Sequence, residues 1–181
     1  MFYRRHLPHW IPPEAAIFLA WRLAGSPPPA IPDLILVKGE IRRKPDPEKH
    51  LRGPFWLQDT RIAAMLVQTL HYGKAVRRMY HLHAWVIMPN HIHVILEPYL
   101  ELATITRWFK GRTSRIANRI LGRTGKPFWQ DESFDRWIRG AGELQKLIDY
   151  VETNPVKAGL VTTADQWPWS SPRFKTDGTK L

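Results

Sequence analysis

The chain has 181 residues, with 27 Lys and Arg against 16 Asp and Glu and a formal net charge of +11. That length suits one domain burying roughly two thirds of the surface its unfolded form exposes, and the lack of cysteine excludes thiolate metal sites, thiol nucleophiles and disulfides together. The first ten residues lack an apolar signal core and no run of about 18 apolar residues occurs, so the expectation is a cytoplasmic protein with no membrane partner. Nine Trp and five Tyr accompany the positive charge, a combination suited to a polyanion with stackable bases, whereas a small-molecule phosphoesterase would want a compact pocket and little net charge.

Ala15 to Ala24, between Pro12-Pro13 and Gly25-Ser26-Pro27, predicts a first strand. A proline-punctuated excursion follows at about 25–54, with a short helical stretch across Leu34 to Arg43. Asp59 is a natural N-cap, and Ile62, Met65, Leu66, Thr69 and Leu70 recur at helical spacing, predicting a helix from Thr60 to Tyr72 that Gly73 ends. Two apolar runs, Ala84 to Met88 and Ile92 to Leu96, flank Pro89-Asn90 and predict a hairpin of buried strands; proline presets the turn, and Asn90 tolerates the awkward position after it. Strand alternation puts His91, His93 and Ile95 on one face and Ile92, Val94 and Leu96 on the other.

Two imidazoles at i and i+2 can grip one divalent metal and leave its other positions open. The plainer alternative is a pair of half-buried histidines hydrogen-bonded in a sheet. A histidine-triad nucleotide hydrolase is excluded, because Ile95 stands where the third histidine would be.

Beyond Pro98, Ile105, Phe109, Ile116 and Ile120 mark a helix whose remaining positions and exit loop carry Arg107, Lys110, Arg112, Arg115, Arg119, Arg123 and Lys126, with no acid between Glu101 and Asp131. Seven cations without interleaved acids exceed an ordinary solvated face and predict a phosphate-tracking surface. Phe134 to Arg139 predicts another strand. A last helix begins near Glu143, with Leu144, Leu147, Ile148 and Val151 as its docking stripe and Asn154-Pro155 as its end. At about 100° per residue, Tyr150 and Asn154 fall on one flank of that stripe, roughly 110° and 70° from its centre. An edge tyrosine and a helix-terminating asparagine are the plainer alternatives for that pair. The element order predicts an α+β fold: a ferredoxin-like split βαβ layer, an antiparallel sheet with helices, plus an added C-terminal helix, in one domain over 1–181.

His91-Ile92-His93, after the Met88-Pro89-Asn90 turn, resembles the histidine-hydrophobic-histidine (HUH) motif of single-strand DNA transposases and relaxases. Tyr150-Val151-Glu152-Thr153-Asn154-Pro155-Val156-Lys157-Ala158-Gly159 is similar to the Tyr-x-x-x-Asn-Pro-Val-Lys-x-Gly signature of the REP-associated tyrosine transposases, and Phe128-Trp129-Gln130 and Trp167-Pro168-Trp169-Ser170-Ser171 also resemble that family. The resemblance implies metal-dependent cleavage and strand transfer of single-stranded DNA at hairpins of palindromic repeats. It implies Tyr150 as nucleophile forming a 5′-phosphotyrosine, and His91, His93 and Asn154 as ligands of Mg2+ or Mn2+. The expected partner is single-stranded or hairpin DNA, held by the cations at Arg107 to Lys126, with the protein a monomer or homodimer. A catalytically silent hairpin-binding protein is the alternative on the same fold.

Overall fold

The computed structural model describes residues 15–26 and 53–176, with side chains as far as Arg173. The stretch expected to be helical at Leu34 to Arg43 lies outside these residues, as does most of the proline-rich excursion. The elements run β1 (Ile17–Arg22), α1 (Thr60–Ala75), β2 (Tyr80–Ile87), β3 (His91–Pro98), α2 (Leu102–Ile120), β4 (Phe134–Trp137), α3 (Ala141–Glu152), a single turn α4 (Asn154–Lys157) and α5 (Ser171–Thr176). The strands form one sheet in the order β2-β3-β1-β4, and every neighbouring pair is antiparallel. This is the expected split βαβ layer: β1 and β2 flank β3 with α1 crossing between them. Among the described residues no helix is long and apolar enough to cross a membrane.

β1 and β3 are the central strands, and all of β1 and most of β3 are buried, which is why both read as nearly continuous apolar runs. Ile17, Leu19 and Trp21 of β1, with Leu23 just beyond it, share one face with Ile92, Val94 and Leu96 of β3, beneath Ile62 and Leu66 of α1 and Ile105, Phe109 and Ala117 of α2. Trp21 stacks on Phe109 with ring centroids 4.8 Å apart. Phe18 and Ala20 of β1, Ala84 and Val86 of β2 and Ile95 of β3 occupy the other face, where Leu147 and Val151 of α3 dock. The stripe read from the sequence is therefore the one that packs.

Two local expectations change. Gly73 does not end α1 but lies inside it, the helix continuing to Ala75; a glycine stands here because the Tyr80 ring fills the space a side chain would take, its hydroxyl donating to the Leu70 carbonyl at 2.9 Å where a Cβ on Gly73 would overlap it. Asn90 takes no unusual backbone conformation, since Arg78 is the one non-glycine residue with positive φ among those described. The β2-β3 turn closes with Met88 N–H donating to the His91 carbonyl at 2.8 Å, and Asn90, fully buried, contributes its side chain.

Gly73→Ala is expected to lower the unfolding free energy by about 1–3 kcal/mol, the usual cost of forcing atoms into a filled core. Urea denaturation measures it, and adding Tyr80→Phe should recover part of the loss. A single variant as stable as the parent would show that the Tyr80 contact does not constrain the helix.

Candidate active site

The N-terminal half of β3 and the C-terminal half of β1 meet at one end of the sheet, in the register Arg22 opposite His91 and Ala20 opposite His93. Antiparallel partners share a face, so Arg22, His91 and His93 all project towards α3. Both histidines are 2% exposed and their rings lie 4.8 Å apart at 72°. His91 Nδ1 lies 2.7 Å from Asn90 Oδ1. An amide oxygen only accepts, so Nδ1 carries a proton, and whenever the ring is neutral its lone pair is on Nε2. The residue read as turn-forming thus fixes an imidazole tautomer.

His93 packs against Phe18, centroid to centroid 5.3 Å, and against Tyr150 at 5.8 Å and 63°. Tyr150 is half-buried at the margin of the α3 stripe, edge-on to Phe18 at 6.4 Å, with Lys157 Nζ 4.9 Å from its ring centre. The flank deduced from helical spacing is where the tyrosine stands, and it meets His93 of its own chain.

Asn154 follows a different path from the one expected. α3 ends at Glu152; Thr153 N–H donates to the Asp149 carbonyl at 2.9 Å, and Asn154 opens the separate turn α4 with Pro155 near its start. Proline lacks the N–H to bond the Val151 carbonyl and its ring would strike it, so α3 cannot run on. Among the described residues no hydrogen bond joins the Asn154 side chain to either imidazole, and no cluster of three or more His, Cys, Asp or Glu forms a metal cage. The two histidines and Tyr150 come together, and Asn154 opens the short turn that follows the helix of Tyr150.

Two sets of bonds hold α3 to the sheet. At its start Glu143 accepts from the Arg139 N–H at 2.5 Å and pairs with Arg136 at 2.9 Å, tying it to β4. At its end Ser171 Oγ donates to Glu152 at 2.8 Å while accepting the Trp85 N–H at 3.2 Å. Ser171 belongs to a strap along the outer edge of β2: Ile87 N–H donates to the Trp169 carbonyl at 2.8 Å, and Trp167 Nε1–H to the Ile87 carbonyl at 2.9 Å.

The cation run lies mostly elsewhere. α2 packs with α1 on the opposite face of the sheet from Tyr150. Arg107, Arg112, Arg115, Arg119 and Lys126 are exposed. Lys110 is engaged internally, its ammonium donating to the carbonyls of Gln130, Asp131 and Glu132 at 2.8, 3.2 and 3.2 Å. Arg123 lies 3.9 Å over the Trp56 ring, and Arg112 lies 5.4 Å over Tyr72. The seven are therefore not equivalent. What joins them to the site is the α2 exit loop, which rounds the end of the sheet: Trp129 bridges Leu23, Ala24 N–H donates to the Phe128 carbonyl at 2.9 Å, and Gln130 N–H to the Arg22 carbonyl at 2.8 Å.

Sequence reasoning missed Arg22, which is 3% exposed beside this constellation. The available signal was a lone cation within the otherwise apolar run Ile17 to Leu23.

A family model described as "Transposase IS200 like" matches residues 59–154, an interval that holds His91, His93 and Tyr150. A REP-associated tyrosine transposase of Escherichia coli K12 is 30% identical over 95 residues, covering 52% of this chain and 55% of that protein. A relative from Haemophilus influenzae is 26% identical over 96 residues, covering 47% of this chain and 54% of its own. The chain thus spans about half the length of the curated relatives it matches. In fold it is similar to a REP-associated tyrosine transposase solved bound to a REP hairpin, with a TM-score of 0.62 at 18% identity over the whole of this chain and 88% of that one. The resemblance read from the two motifs is thereby borne out, and with more than half of its 181 residues matched by the family model, the chain belongs to the IS200-like transposases.

Proposed function

We propose that the protein cleaves single-stranded DNA beside hairpins of palindromic repeats and transfers the cut end through a tyrosyl intermediate. The observation that carries this reading is the edge contact between Tyr150 and His93, on the sheet face that also bears His91. A phenol at that position has a scaffold on two sides: Phe18 and His93 fix its ring, and the Lys157 ammonium adds positive charge beside it. The hairpin bound by the similar transposase supports the choice of substrate.

The exchange is balanced without an energy source. The Tyr150 Oη–P bond forms as the P–O3′ bond breaks; the phenolic proton is lost to solvent and the departing oxygen takes one up as a free 3′-OH. The 5′-phosphotyrosine conserves a phosphodiester, so a second 3′-OH can attack it and rejoin strands. His91 Nε2 and His93 fit a divalent ion, since the Asn90 side-chain oxygen Oδ1 holds the His91 Nδ1 proton and leaves Nε2 to ligate, as an outer hydrogen bond commonly does for a metal-bound imidazole. Such an ion, Mg2+ or Mn2+ in this reading, would withdraw charge from the phosphate oxygens. Asn154, on the turn that follows the helix of Tyr150, would be the third ligand in this reading. The exposed arginines of α2 would hold hairpin phosphates on the far face of the sheet, and the exit loop with Arg123 and Lys126 offers the route to Tyr150 around the end of β1.

Tyr150→Phe is expected to abolish the denaturant-stable protein–DNA adduct while changing hairpin affinity by less than about 1 kcal/mol, since only one hydroxyl is removed. End-labelled hairpin DNA and peptide mapping test this. A wild type that binds hairpins but forms no adduct would favour the silent binding protein, and an adduct on another tyrosine would displace Tyr150 from its role.

Asn90→Ala is expected to weaken Mn2+ binding by roughly tenfold or more by freeing the His91 tautomer, read by calorimetric titration; unchanged affinity would remove Asn90 from the site. Hairpin binding should fall on the order of a hundredfold or more between 50 and 200 mM salt, as several phosphate contacts require. Substituting Arg115 and Arg119 together by Gln should flatten that slope by about two units of counterion release. A slope unaltered in the double variant would place the DNA elsewhere.

A further inference from the structure

β1 lies outside the interval matched by the family model, yet it places a buried guanidinium at the reaction face. Arg22 is the last residue of β1. Its carbonyl accepts from Gln130 N–H at 2.8 Å, and the next residue, Leu23, donates to the Asn90 carbonyl at 3.0 Å. The backbone is thus held between the α2 exit loop and the turn that orients His91. The side chain shares its face with Phe18 and Ala20, and with His91 directly across the pairing.

What sets Arg22 apart is that it stands inside the protein without an acid. It is 3% exposed, its Nε and Nη1 are buried without a hydrogen-bond partner, and no ion pair involves it among the described residues. Arg136 is matched by Glu143, and the exposed arginines of α2 have water. A buried, unpaired charge is among the costliest features a fold can retain. Deprotonation offers no relief: burial lowers its pKa to about 10, the proximity of Tyr150 opposing that shift, so the group stays cationic at neutral pH. Its neighbours on this face, the His91 imidazole and the Tyr150 phenol, are not carboxylates and supply no acid to pair with it.

We propose that Arg22 is the protein's own ligand for the non-bridging oxygens of the phosphate that Tyr150 attacks, and that it keeps hold of that phosphate in the 5′-phosphotyrosine. This rests on the tyrosine-transfer reading above. A planar guanidinium matches tetrahedral oxyanions in charge and donor geometry, and a preorganised donor in a dry site is worth far more than one in water. The position answers the division of positive charge in the molecule. Cations on the far face can hold a strand anywhere along its length, while a buried one beside the nucleophile selects the single phosphate that reacts.

The test uses the full chain and the variants Arg22→Met and Arg22→Lys. Met preserves length and packing, and exchanging a buried charge for an apolar side chain is often neutral or stabilising, so the Met variant should fold. In the first arm the probe is inorganic phosphate in EDTA, against chloride at equal ionic strength. Phosphate should raise the melting temperature of the wild type and of Tyr150→Phe, and raise that of Arg22→Met by less than half as much; an equal rise in Arg22→Met, or none in the wild type, overturns the proposal. In the second arm, hairpin cleavage by Arg22→Met should slow on the order of a hundredfold or more, with hairpin affinity within about threefold of wild type and Arg22→Lys intermediate, since an ammonium keeps the charge but loses the planar donors. Cleavage by Arg22→Met within about threefold of wild type also overturns it. Should the wild type form no adduct, tyrosine transfer fails, and the phosphate arm still decides whether Arg22 holds an oxyanion.

Discussion

The pairing of β1 with β3 is the constraint on which the arrangement depends. Ala20 opposite His93 and Arg22 opposite His91 put two imidazoles and a guanidinium on one face, while Trp21 and Ile92 are driven into the core on the other. A shift of one residue in either strand would exchange the two sets, burying His91 and His93 under α1 and α2 and lifting Ile92 and Val94 towards α3. The register is protected by the size of what it buries: Trp21 against Phe109, and Ile92, Val94 and Leu96 together, would all lose their shelter. The reactive face is therefore specified by the hydrophobic face behind it.

The same sheet separates two kinds of positive charge. On the α2 side the arginines are solvated and spread along a helix, able to exchange counterions for a nucleic-acid backbone wherever it lies. On the α3 side one charge, Arg22, is enclosed, near rings whose orientations are held by Asn90, Phe18 and each other. Lys110 belongs to neither set, since its three carbonyl partners make it a clamp for the loop that connects the faces.

Much of this was legible in the sequence because it follows from short-range rules. Strand alternation is rigid, so the common face of His91 and His93 could be read from spacing, and the stripe of Leu144, Leu147, Ile148 and Val151 fixed the side on which Tyr150 stands. The failures have long-range or junction causes. Gly73 carries an ordinary stop signal, but Tyr80 occupies the vacant Cβ position and the helix runs on. The projection of Asn154 assumed that α3 runs to that residue, whereas α3 ends at Glu152 and Asn154 opens a separate turn with Pro155. Nothing local shows that α2 covers the back of the sheet, or that Arg22 lacks an acid; both are statements about which distant residues arrive beside which.

The strap at Trp167 to Ser171 gives the molecule an order of completion. β2, β3 and α1 are contiguous and can pair as they emerge, but the Ser171 bond that ties Glu152 to the Trp85 backbone joins residues 86 positions apart at its longer end. Contacts of such sequence separation form late, after the loop entropy between them has been met. A growing chain thus acquires its paired histidines well before the helix of Tyr150 is fastened over them, and until then the outer edge of β2 lies open to any strand that finds it. The last segment to arrive both seals that edge and latches the helix, so protection from mispairing and the finished geometry of the site come in one step.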